Sequence, residues 1–357
     1  MTYTILAINP GATSTKIGLF KDEEMIFKED ISYSLDDLKK YKNSNEQYEI
    51  RLDSVLSTLK KYDVDMKIID AVVGRGGLLP PVKAGAYEVN KGILDCLKYQ
   101  PVVDHASNLG APLAQGISDI AKKGCRAFIY DPVTVDQFTD IARISGLNGL
   151  ERKSIGHILN MRAVAMKVAK EMNASYYEKN FIVAHLGGGS TISAHQKGQI
   201  IDLISDDEGP FSTERTGGLA IKDVIHLCYQ NSEDEMFAKY RKKGGLISYL
   251  GTNDVRKIEG KIDSGDKEAE LILEALAYQS SKGIGEMAAV LKGKVDCIII
   301  TGGLAYSKRI TEWIKSYIEF LAPVILVPGE NELEALAMGA KRIISGEENA
   351  NVFEWKQ

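Results

Sequence analysis

One pattern occurs twice in this chain, about half the sequence apart, and it constrains the fold more than any other feature. Residues 5–15 align with residues 181–191, and each segment has the character of an apolar strand, a glycine-rich turn and a returning strand. Three positions are identical: Gly11 and Gly187, Ser14 and Ser190, Thr15 and Thr191. The repeat predicts two duplicated domains, which would place both turns on one cleft if they faced each other.

Strand and helix patterns alternate along the whole chain. Apolar runs predict strands at residues 4–8, 15–20, 25–31, 68–73, 126–130, 181–184, 190–195, 199–204, 295–300 and 324–327. Helical spacing predicts helices at 45–61, 90–99, 107–123, 155–172, 220–231, 252–260, 266–292, 308–321 and 331–345. The alternation indicates an α/β protein, and 357 residues suggest two domains, 1–150 and 151–330.

The bulk composition excludes several classes of protein. With 44% hydrophobic and 26% charged residues the chain can bury a large core, so disorder is not expected. A net charge of −5 argues against a dedicated nucleic-acid binder. The four cysteines form no C-x-x-C pair, and no basic leader or bilayer-length apolar run is present. We therefore expect a cytoplasmic protein that binds no membrane.

The two turns could bind phosphate through backbone N–H groups and small hydroxyl side chains. No P-loop and no complete G-x-G-x-x-G motif is present, so any nucleotide must be held in another way. Glycine lets a backbone approach a phosphate closely. The candidates are Asn9, Gly11, Thr13, Ser14 and Lys16 in the first turn and Gly187, Gly188 and Gly189 in the second. Either turn could instead be an ordinary hairpin, and Lys16 an exposed strand residue.

An ordered set of motifs gives the chain a family resemblance. The pattern N-x-G-x-[ST]-S-x-K at residues 9–16 is followed by H-L-G-G-G-S at 185–190, E-R-T-G-G at 214–218 and T-G-G at 301–303. Together these resemble the acetate and butyrate kinase family over essentially the whole chain. The runs R-G-G-L-L-P-P-V at 75–82 and R-K-S-I-G-H at 152–157 look closest to its butyrate kinase branch.

The resemblance implies a fold and an activity. The family belongs to the actin, Hsp70 and sugar-kinase superfamily, whose ribonuclease-H-like domains are duplicated around an interdomain cleft. We expect a Mg²⁺-dependent, reversible in-line transfer between ATP/ADP and a short-chain carboxylate/acyl phosphate pair. The resemblance further implies a homodimer or higher homo-oligomer, and a C-terminal helix, about 331–357, that returns to the first domain.

The residue types suit this chemistry. A carboxylate is already ionised at neutral pH and needs no general base, so the site must mainly stabilise negative charge. Arg75 and Arg215 match the arginines that flank the transferred group in the family, although a lone arginine is more often a surface ion pair. His185 matches a ligand of the phosphoryl group, His157 a second active-site histidine, and His105 a third. His195 and His226 are interpreted as structural.

Carboxylates and glycines complete the predicted site. Asp131 directly follows a strand, where ligand crevices form in open α/β sheets. Asp131, Asn9 and Glu332 resemble the family's magnesium-side residues, acting mostly through water. Glu330 competes with Glu332 for that position, and Glu332 could instead stabilise a helix N-terminus. Gly302 and Gly303 are expected to contact the adenosine.

Two glycines underlie the expected preference for butyrate or a branched analogue. Acetate-specific relatives carry a Phe at the position of Gly156 and a bulkier aliphatic residue at the position of Gly77. Loss of these side chains is predicted to open the acyl pocket, with His105 nearby, and each extra buried methylene is worth roughly 0.8 kcal/mol. Leu78 or Ile155 could refill the space.

Three other functions are compatible with the same fold. The first is an acetate or propionate kinase. The second is a sugar kinase, in which Asp131 would be a general base. The third is an actin- or Hsp70-like ATP-driven binding protein.

Overall fold

The computed structural model describes residues 2–355, which divide into two compact units. The first unit comprises residues up to Asp136 together with those from Asn331 onward, and the second comprises Gln137–Glu330. The division therefore falls earlier than residue 150. Each unit combines one mixed sheet with helices, which is the duplicated α/β fold predicted from the sequence.

The first unit is built on a six-stranded sheet of order β3-β2-β1-β4-β6-β5. Its strands are β1 (Thr4–Pro10), β2 (Ser14–Lys21), β3 (Glu24–Ser32), β4 (Ala71–Arg75), β5 (Ala86–Glu88) and β6 (Arg126–Tyr130). Its helices are α1 (Leu35–Leu38), α2 (Tyr48–Lys61), α3 (Lys91–Tyr99), α4 (Gly110–Ile120) and, from the C-terminal segment, α13 (Glu332–Ile344). Three short 3-10 helices lie at Asn45–Gln47, Met66–Ile68 and Ala106–Leu109.

The second unit is built on a five-stranded sheet of order β11-β10-β7-β8-β9. Its strands are β7 (Asn180–Leu186), β8 (Ser190–Gln196), β9 (Gln199–Ile204), β10 (Cys297–Gly302) and β11 (Val324–Pro328). Its helices are α5 (Asp140–Arg143), α6 (Ile158–Glu171), α7 (Ile221–Cys228), α8 (Glu233–Arg241), α9 (Gly245–Leu250), α10 (Val255–Asp263), α11 (Lys267–Val290) and α12 (Lys308–Ile318). A 3-10 helix lies at Gly303–Tyr306.

The sequence repeat corresponds to a repeated sheet topology. In each unit three consecutive antiparallel strands are followed by two strands parallel to the first of them; the first unit has in addition the short β5, which pairs antiparallel with β6. The turns differ by one residue. Pro10 pairs with Thr15 in the first unit, and Leu186 pairs with Ser190 in the second. The second turn is therefore the tighter of the two, and its three residues are all glycine.

Most predicted elements are present, with a few differences. β4 begins at Ala71 because the apolar residues before it form the 3-10 helix Met66–Ile68. The short strand β5, which has only three residues, was not predicted from the sequence, nor were the helices α1, α5, α8 and α9. α8 had a readable start signal, since Ser232 and Glu235 form a capping box. No helix of the described residues is long and apolar enough to cross a lipid bilayer.

The close approach of α4 to β4 requires two glycines. A Cβ atom at Gly110 would lie 2.0 Å from the carbonyl oxygen of Arg75, and one at Gly74 would lie 2.0 Å from the carbonyl oxygen of Gly110. Both collisions are with backbone, which cannot swing aside. The end of β4, which carries Arg75, is thus fixed by contact with the first residue of α4.

We predict that Gly110→Ala lowers the free energy of unfolding by about 3 kcal/mol, because backbone must move to admit the methyl group. Gly260→Ala is the matched control, since Gly260 lies in α10 with no atom within 4 Å of an added Cβ. The control should be neutral or stabilising by about 1 kcal/mol. Urea unfolding of both variants measures the difference. Equal stabilities would contradict the close packing.

His195 is a structural residue of the second unit's core, in agreement with its interpretation from the sequence. Its side chain is fully buried in β8, with Nδ1 2.9 Å from Tyr176 Oη and Nε2 2.8 Å from Ser193 Oγ. Burial, helped by the charge of Arg162, lowers the pKa of His195 from 6.5 to about 3. The folded protein therefore holds this imidazole neutral.

We predict that His195 makes the fold acid-sensitive. Below its ordinary pKa of 6.5 the imidazole binds a proton in the unfolded chain but not in the folded one, so stability falls from there down to about pH 3. Between pH 7 and 5 the parent should lose about 2 kcal/mol more than His195→Gln. Urea unfolding at both pH values measures this loss. His226→Gln, on the exposed face of α7, should follow the parent; identical pH dependence of all three proteins would contradict the assignment.

Candidate active site

Three of the predicted residues lie at one edge of the first unit's sheet. β1, β4 and β6 are parallel neighbours, with Ile8 beside Gly74 and Arg75 beside Tyr130. Asn9, Arg75 and Asp131 therefore stand at the carboxyl ends of three adjacent strands. Ligands bind at this edge in open α/β sheets.

Glu332 joins this group from the C-terminal segment. It is the first residue of α13, and its Oε1 accepts a hydrogen bond from Arg75 Nη1 at 2.6 Å. Its Oε2 accepts a second bond from Asn9 Nδ2. Glu330 belongs to the second unit, where its Oε1 lies 3.7 Å from His185 Nε2. Of the two acidic residues, it is Glu332 that lies beside Asn9 and Arg75.

The oxygen atoms of Asn9 and Glu332 are ligands of the kind that Mg²⁺ prefers. Within the described residues, however, no group of three or more His, Cys, Asp or Glu side chains could hold a metal ion. The two side chains thus fit an ion that keeps most of its shell as water or substrate oxygen. Glu332 would then have to share its carboxylate between the ion and Arg75.

Asp131 is held in a fixed orientation at the end of β6. Its side chain is buried, its Oδ1 accepts a 2.7 Å bond from the Gly85 N–H, and its own N–H donates to Gly85 O. Its backbone is left-handed, with φ of 39°, which costs a non-glycine residue roughly 1 kcal/mol. Backbone strain of this kind is typical of functional sites. The hydrogen bonds to Gly85 account for part of the burial of the Asp131 side chain.

The first turn is closed by backbone hydrogen bonds. The Gly11 N–H donates to Ser14 O at 2.7 Å, and the Tyr33 N–H donates to Thr13 O at 2.9 Å. Thr13 is exposed, and Lys16 is half-buried in β2 beside Asn9. The turn thus leaves a small hydroxyl side chain open to a ligand next to the strand end that carries Asn9.

The second unit places His185, Thr301 and the segment after β11 at its own sheet edge. Thr301 pairs with His185, and Gly302 pairs with Pro328. Gly302 is left-handed, with φ of 87°, and a Cβ there would lie 2.3 Å from Leu186 O. A Cβ at Gly303 would meet no atom within 4 Å. Gly302 is thus required by the backbone, whereas Gly303 leaves open space.

Two imidazole rings stack at this edge. The centroids of His157 and His185 are 3.9 Å apart and their planes differ by 10°. His157 Nδ1 lies 2.9 Å from Thr191 Oγ1, and His185 Nδ1 lies 3.1 Å from Asn160 Oδ1. Each ring is therefore fixed at one nitrogen by a neutral side chain.

Three buried polar atoms in this region have no hydrogen-bond partner among the described residues. They are His185 Nε2, Ser190 Oγ and Asn160 Nδ2. Leaving such groups unsatisfied costs about 1–3 kcal/mol each. His185 lies near the end of β7 and Ser190 begins β8, so both lie beside the second turn, whereas Asn160 lies in α6 and bonds to His185.

Arg215 reaches the second turn from a neighbouring loop. Its guanidinium forms an ion pair with Asp206, whose Oδ1 accepts a bond from the Ser190 N–H. A Cβ at Gly189 would lie 2.5 Å from Arg215 Nη1, so only glycine leaves room for the side chain. Ser212 Oγ donates to Gly188 O at 2.6 Å and fixes the turn further.

His105 lies in the first unit, before the 3-10 helix Ala106–Leu109. Its Nδ1 accepts from the Ser107 N–H at 3.2 Å and lies 2.9 Å from Ser107 Oγ. Although part of the ring is exposed, desolvation and then the charge of Arg75 lower the pKa of His105. The nearby charge of Arg75 is consistent with a position close to the strand-end group.

The two glycines predicted to enlarge the acyl pocket are packed against neighbours. A Cβ at Gly77 would lie 2.7 Å from both Leu97 Cδ2 and Asn108 Oδ1. A Cβ at Gly156 would lie 2.7 Å from Thr191 Cγ2. The inference that missing side chains leave open space is therefore wrong at both positions, because other residues of the same unit occupy it.

Several site residues were not predicted from the sequence. Asn160 lies three residues after His157, the spacing of one helix face, and this could have drawn attention to it. Asp206 comes two residues after the end of β9, and its place near a strand end is a similar signal to that of Asp131. Thr191 was seen only as a repeat identity, and no local pattern revealed its bond to His157.

Comparisons with known proteins agree on one family. The family model described as the acetokinase family matches residues 152–353. The chain is 46% identical to butyrate kinase 2 of Clostridium acetobutylicum, over 99% of this chain and 100% of that protein. It is 44% identical to a probable butyrate kinase of Clostridium botulinum, with the same coverage.

Solved structures agree on the fold. The crystal structure of Porphyromonas gingivalis acetate kinase matches with a TM-score of 0.78 at 18% identity, covering 97% of this chain and 100% of that chain. At that identity the likeness concerns the fold alone, and it agrees with the duplicated units described above.

Proposed function

Because this chain belongs to the acetokinase family, we propose that it transfers the terminal phosphoryl group of ATP reversibly to butyrate or a branched analogue. The products are ADP and the acyl phosphate. The relatives named as butyrate kinases support this choice of acid. Gly77 and Gly156 do not support this choice, because both are packed against neighbouring residues.

One observation within the site carries the proposal. His185 Nε2, Ser190 Oγ and Asn160 Nδ2 are buried without a hydrogen-bond partner in the described part of the chain. Toward an anion, Ser190 Oγ and Asn160 Nδ2 act as hydrogen-bond donors. His185 Nε2 also donates when it carries a proton. A phosphate or transferring phosphoryl group supplies the acceptors that they lack.

The reaction requires no base. An oxygen of the ionised carboxylate attacks the terminal phosphorus of ATP, and the bond from that phosphorus to the oxygen of the β-phosphate breaks. No proton moves, so the protein's task is to hold two anions and to stabilise the charge on the transferred group. Arginine, imidazole and backbone N–H groups serve this purpose.

We assign roles to the side chains on this basis. Arg75, Arg215 and His185 stabilise the transferred group, and His157 supports His185 through the ring stack. Asn9, Gly11, Thr13, Ser14 and Lys16, with Gly187, Gly188 and Gly189, hold phosphate. Gly302 and Gly303 lie against the adenosine, and His105 lies near the acyl group.

Magnesium, when bound, would neutralise charge on the phosphate oxygens, and Asn9, Asp131 and Glu332 would hold it mostly through water. The hydrogen bond between Asn9 and Glu332 supports their acting together. We also propose that the protein is cytoplasmic and forms a homodimer or higher homo-oligomer. Size-exclusion chromatography with light scattering would test the oligomeric state.

Acyl-hydroxamate formation with ATP tests the activity, measured over acetate, propionate, butyrate, isobutyrate and isovalerate. We predict the highest kcat/KM for butyrate or a branched acid, about tenfold above acetate, because each added methylene is worth roughly 0.8 kcal/mol. A maximum at acetate would overturn the choice of substrate. The absence of any acid-dependent product would overturn the reaction itself.

The substitution Gly156→Ala tests whether Gly156 makes room for Thr191 or lines the acyl pocket. The added methyl group collides with Thr191, which holds His157, so we predict that kcat/KM falls for every acid by a similar factor, about tenfold or more. Gly285→Ala, where no atom lies within 4 Å of the added Cβ, is the control. A selective loss of the longer acids would instead restore Gly156 to the wall of the acyl pocket.

A further inference from the structure

Arg51 is a buried arginine of α2 that lies directly behind the first turn. Its relative exposure is 0%. Its Nη1 donates to Ser14 O at 3.1 Å and to Thr15 Oγ1 at 2.9 Å, and its Nη2 donates to Ala12 O at 3.3 Å. Tyr33 covers the guanidinium, with the ring centroid 4.8 Å from Cζ. The side chain thus holds the turn from its inner side.

In the part of the chain that the structure describes, only neutral groups form hydrogen bonds with the charged side chain of Arg51. Its remaining partner is Gln47 Oε1, which accepts from Nε at 3.1 Å and from Nη2 at 2.8 Å. Among the described residues no carboxylate forms a hydrogen bond or an ion pair with it. Burial lowers the pKa of Arg51 from its ordinary value, as expected of a cation that only neutral groups satisfy. Burying an unpaired charge is costly, so its presence calls for a reason.

The hydrogen bonds also set the direction of the turn's peptide groups. In a trans peptide the C=O and the following N–H point in opposite directions, and the chain contains no cis bond. Because Ala12 O is directed at Arg51, the Thr13 N–H must point away from it. The bond to Arg51 also directs Ser14 O inward, whereas the Thr15 N–H belongs to β2, in which Thr15 pairs with Pro10 and Ile31. Arg51 thus fixes two carbonyl oxygens of the turn inward and the Thr13 N–H outward.

We propose that Arg51 is a positioning residue that makes the first turn an anion site, by turning carbonyl oxygens away from the ligand and by placing an unneutralised charge behind it. The anion is the terminal phosphoryl group, as it arrives on ATP or leaves on the acyl phosphate. This role rests on the proposed function of the turn. It explains why a buried cation is retained where, among the described residues, it bonds only to neutral groups.

The substitution Gln47→Glu tests the charge directly. Glutamate keeps the oxygen that Arg51 requires and supplies the missing counter-ion, so the geometry persists while the charge is neutralised. We expect the melting temperature to stay equal or rise. We expect KM for MgATP, and KM for the acyl phosphate in the reverse direction, to increase about tenfold, the size of one charge-assisted hydrogen bond. A merely structural Arg51 would leave both KM values unchanged.

The control variant adds the same charge elsewhere in the first unit. Gln100, after α3, is exposed, and Gln100→Glu should leave KM for MgATP within about twofold of the parent because solvent screens the charge. An increase in KM no larger for Gln47→Glu than for Gln100→Glu would overturn the proposal. If KM increases for only one of the two phosphoryl compounds, the turn binds that compound alone and the reversible form of the role fails.

Arg51→Lys tests the geometry. A single ammonium keeps the charge but cannot reproduce the fork that reaches Ala12, Ser14 and Gln47 together. We expect KM for MgATP to rise while KM for the acid changes less than about twofold. Arg162→Lys, at a buried arginine of α6, is the control for lost stability alone. Equal effects of the two lysine variants on KM for MgATP would reduce Arg51 to a structural residue.

Calorimetric binding of a non-hydrolysable ATP analogue with Mg²⁺ separates this proposal from the proposed function. If the parent transfers nothing to any acid but Gln47→Glu still weakens analogue binding, the substrate assignment fails and the role of Arg51 stands. If the parent is active and Gln47→Glu binds the analogue as tightly as the parent, the role of Arg51 fails alone.

Discussion

The hydrogen bond between His185 and Asn160 is the interaction on which the second unit's site depends. It fixes Nδ1 of a buried imidazole. The other ring nitrogen, Nε2, has no hydrogen-bond partner among the described residues. The same ring stacks on His157, which Thr191 holds in turn. Thr301 Oγ1 also donates to Asn160 Oδ1, at 3.3 Å, so β10 supports the arrangement. The site is therefore organised before any ligand arrives, as electrostatic catalysis requires.

The two units have different side chains around their corresponding turns. In the first, cations dominate: Arg75 lies at a strand end and Arg51 lies behind the turn, while Glu332 pairs with Arg75. In the second, imidazole, hydroxyl and amide groups lie in the region of a turn made entirely of glycine, and Arg215 is paired with Asp206. Duplication supplied the strand–turn–strand frame, and the side chains that followed diverged. A carboxylate substrate suits both sets because it needs charge stabilisation and no base.

The sequence predicted the frame well because the frame depends on local patterns. Glycine-rich turns after apolar strands located both phosphate candidates, and a carboxylate after a strand located Asp131. The residues that hold the site together were harder to find. Arg51 and Thr191 act through partners distant in sequence, and a buried arginine in an amphipathic helix resembles an exposed one until the fold is known. Gly77 and Gly156 failed for a related reason, since only packing decides whether a missing side chain leaves space.

In the proposed reaction the phosphoryl group passes directly from ATP to the carboxylate. His185 offers the competing route, because a buried imidazole nitrogen without a hydrogen-bond partner could accept the group and pass it on. ATP made chiral at its terminal phosphorus with oxygen isotopes distinguishes the two. A single in-line displacement predicts acyl phosphate of inverted configuration. Retention would show two displacements through a phosphorylated enzyme and would rule out direct transfer.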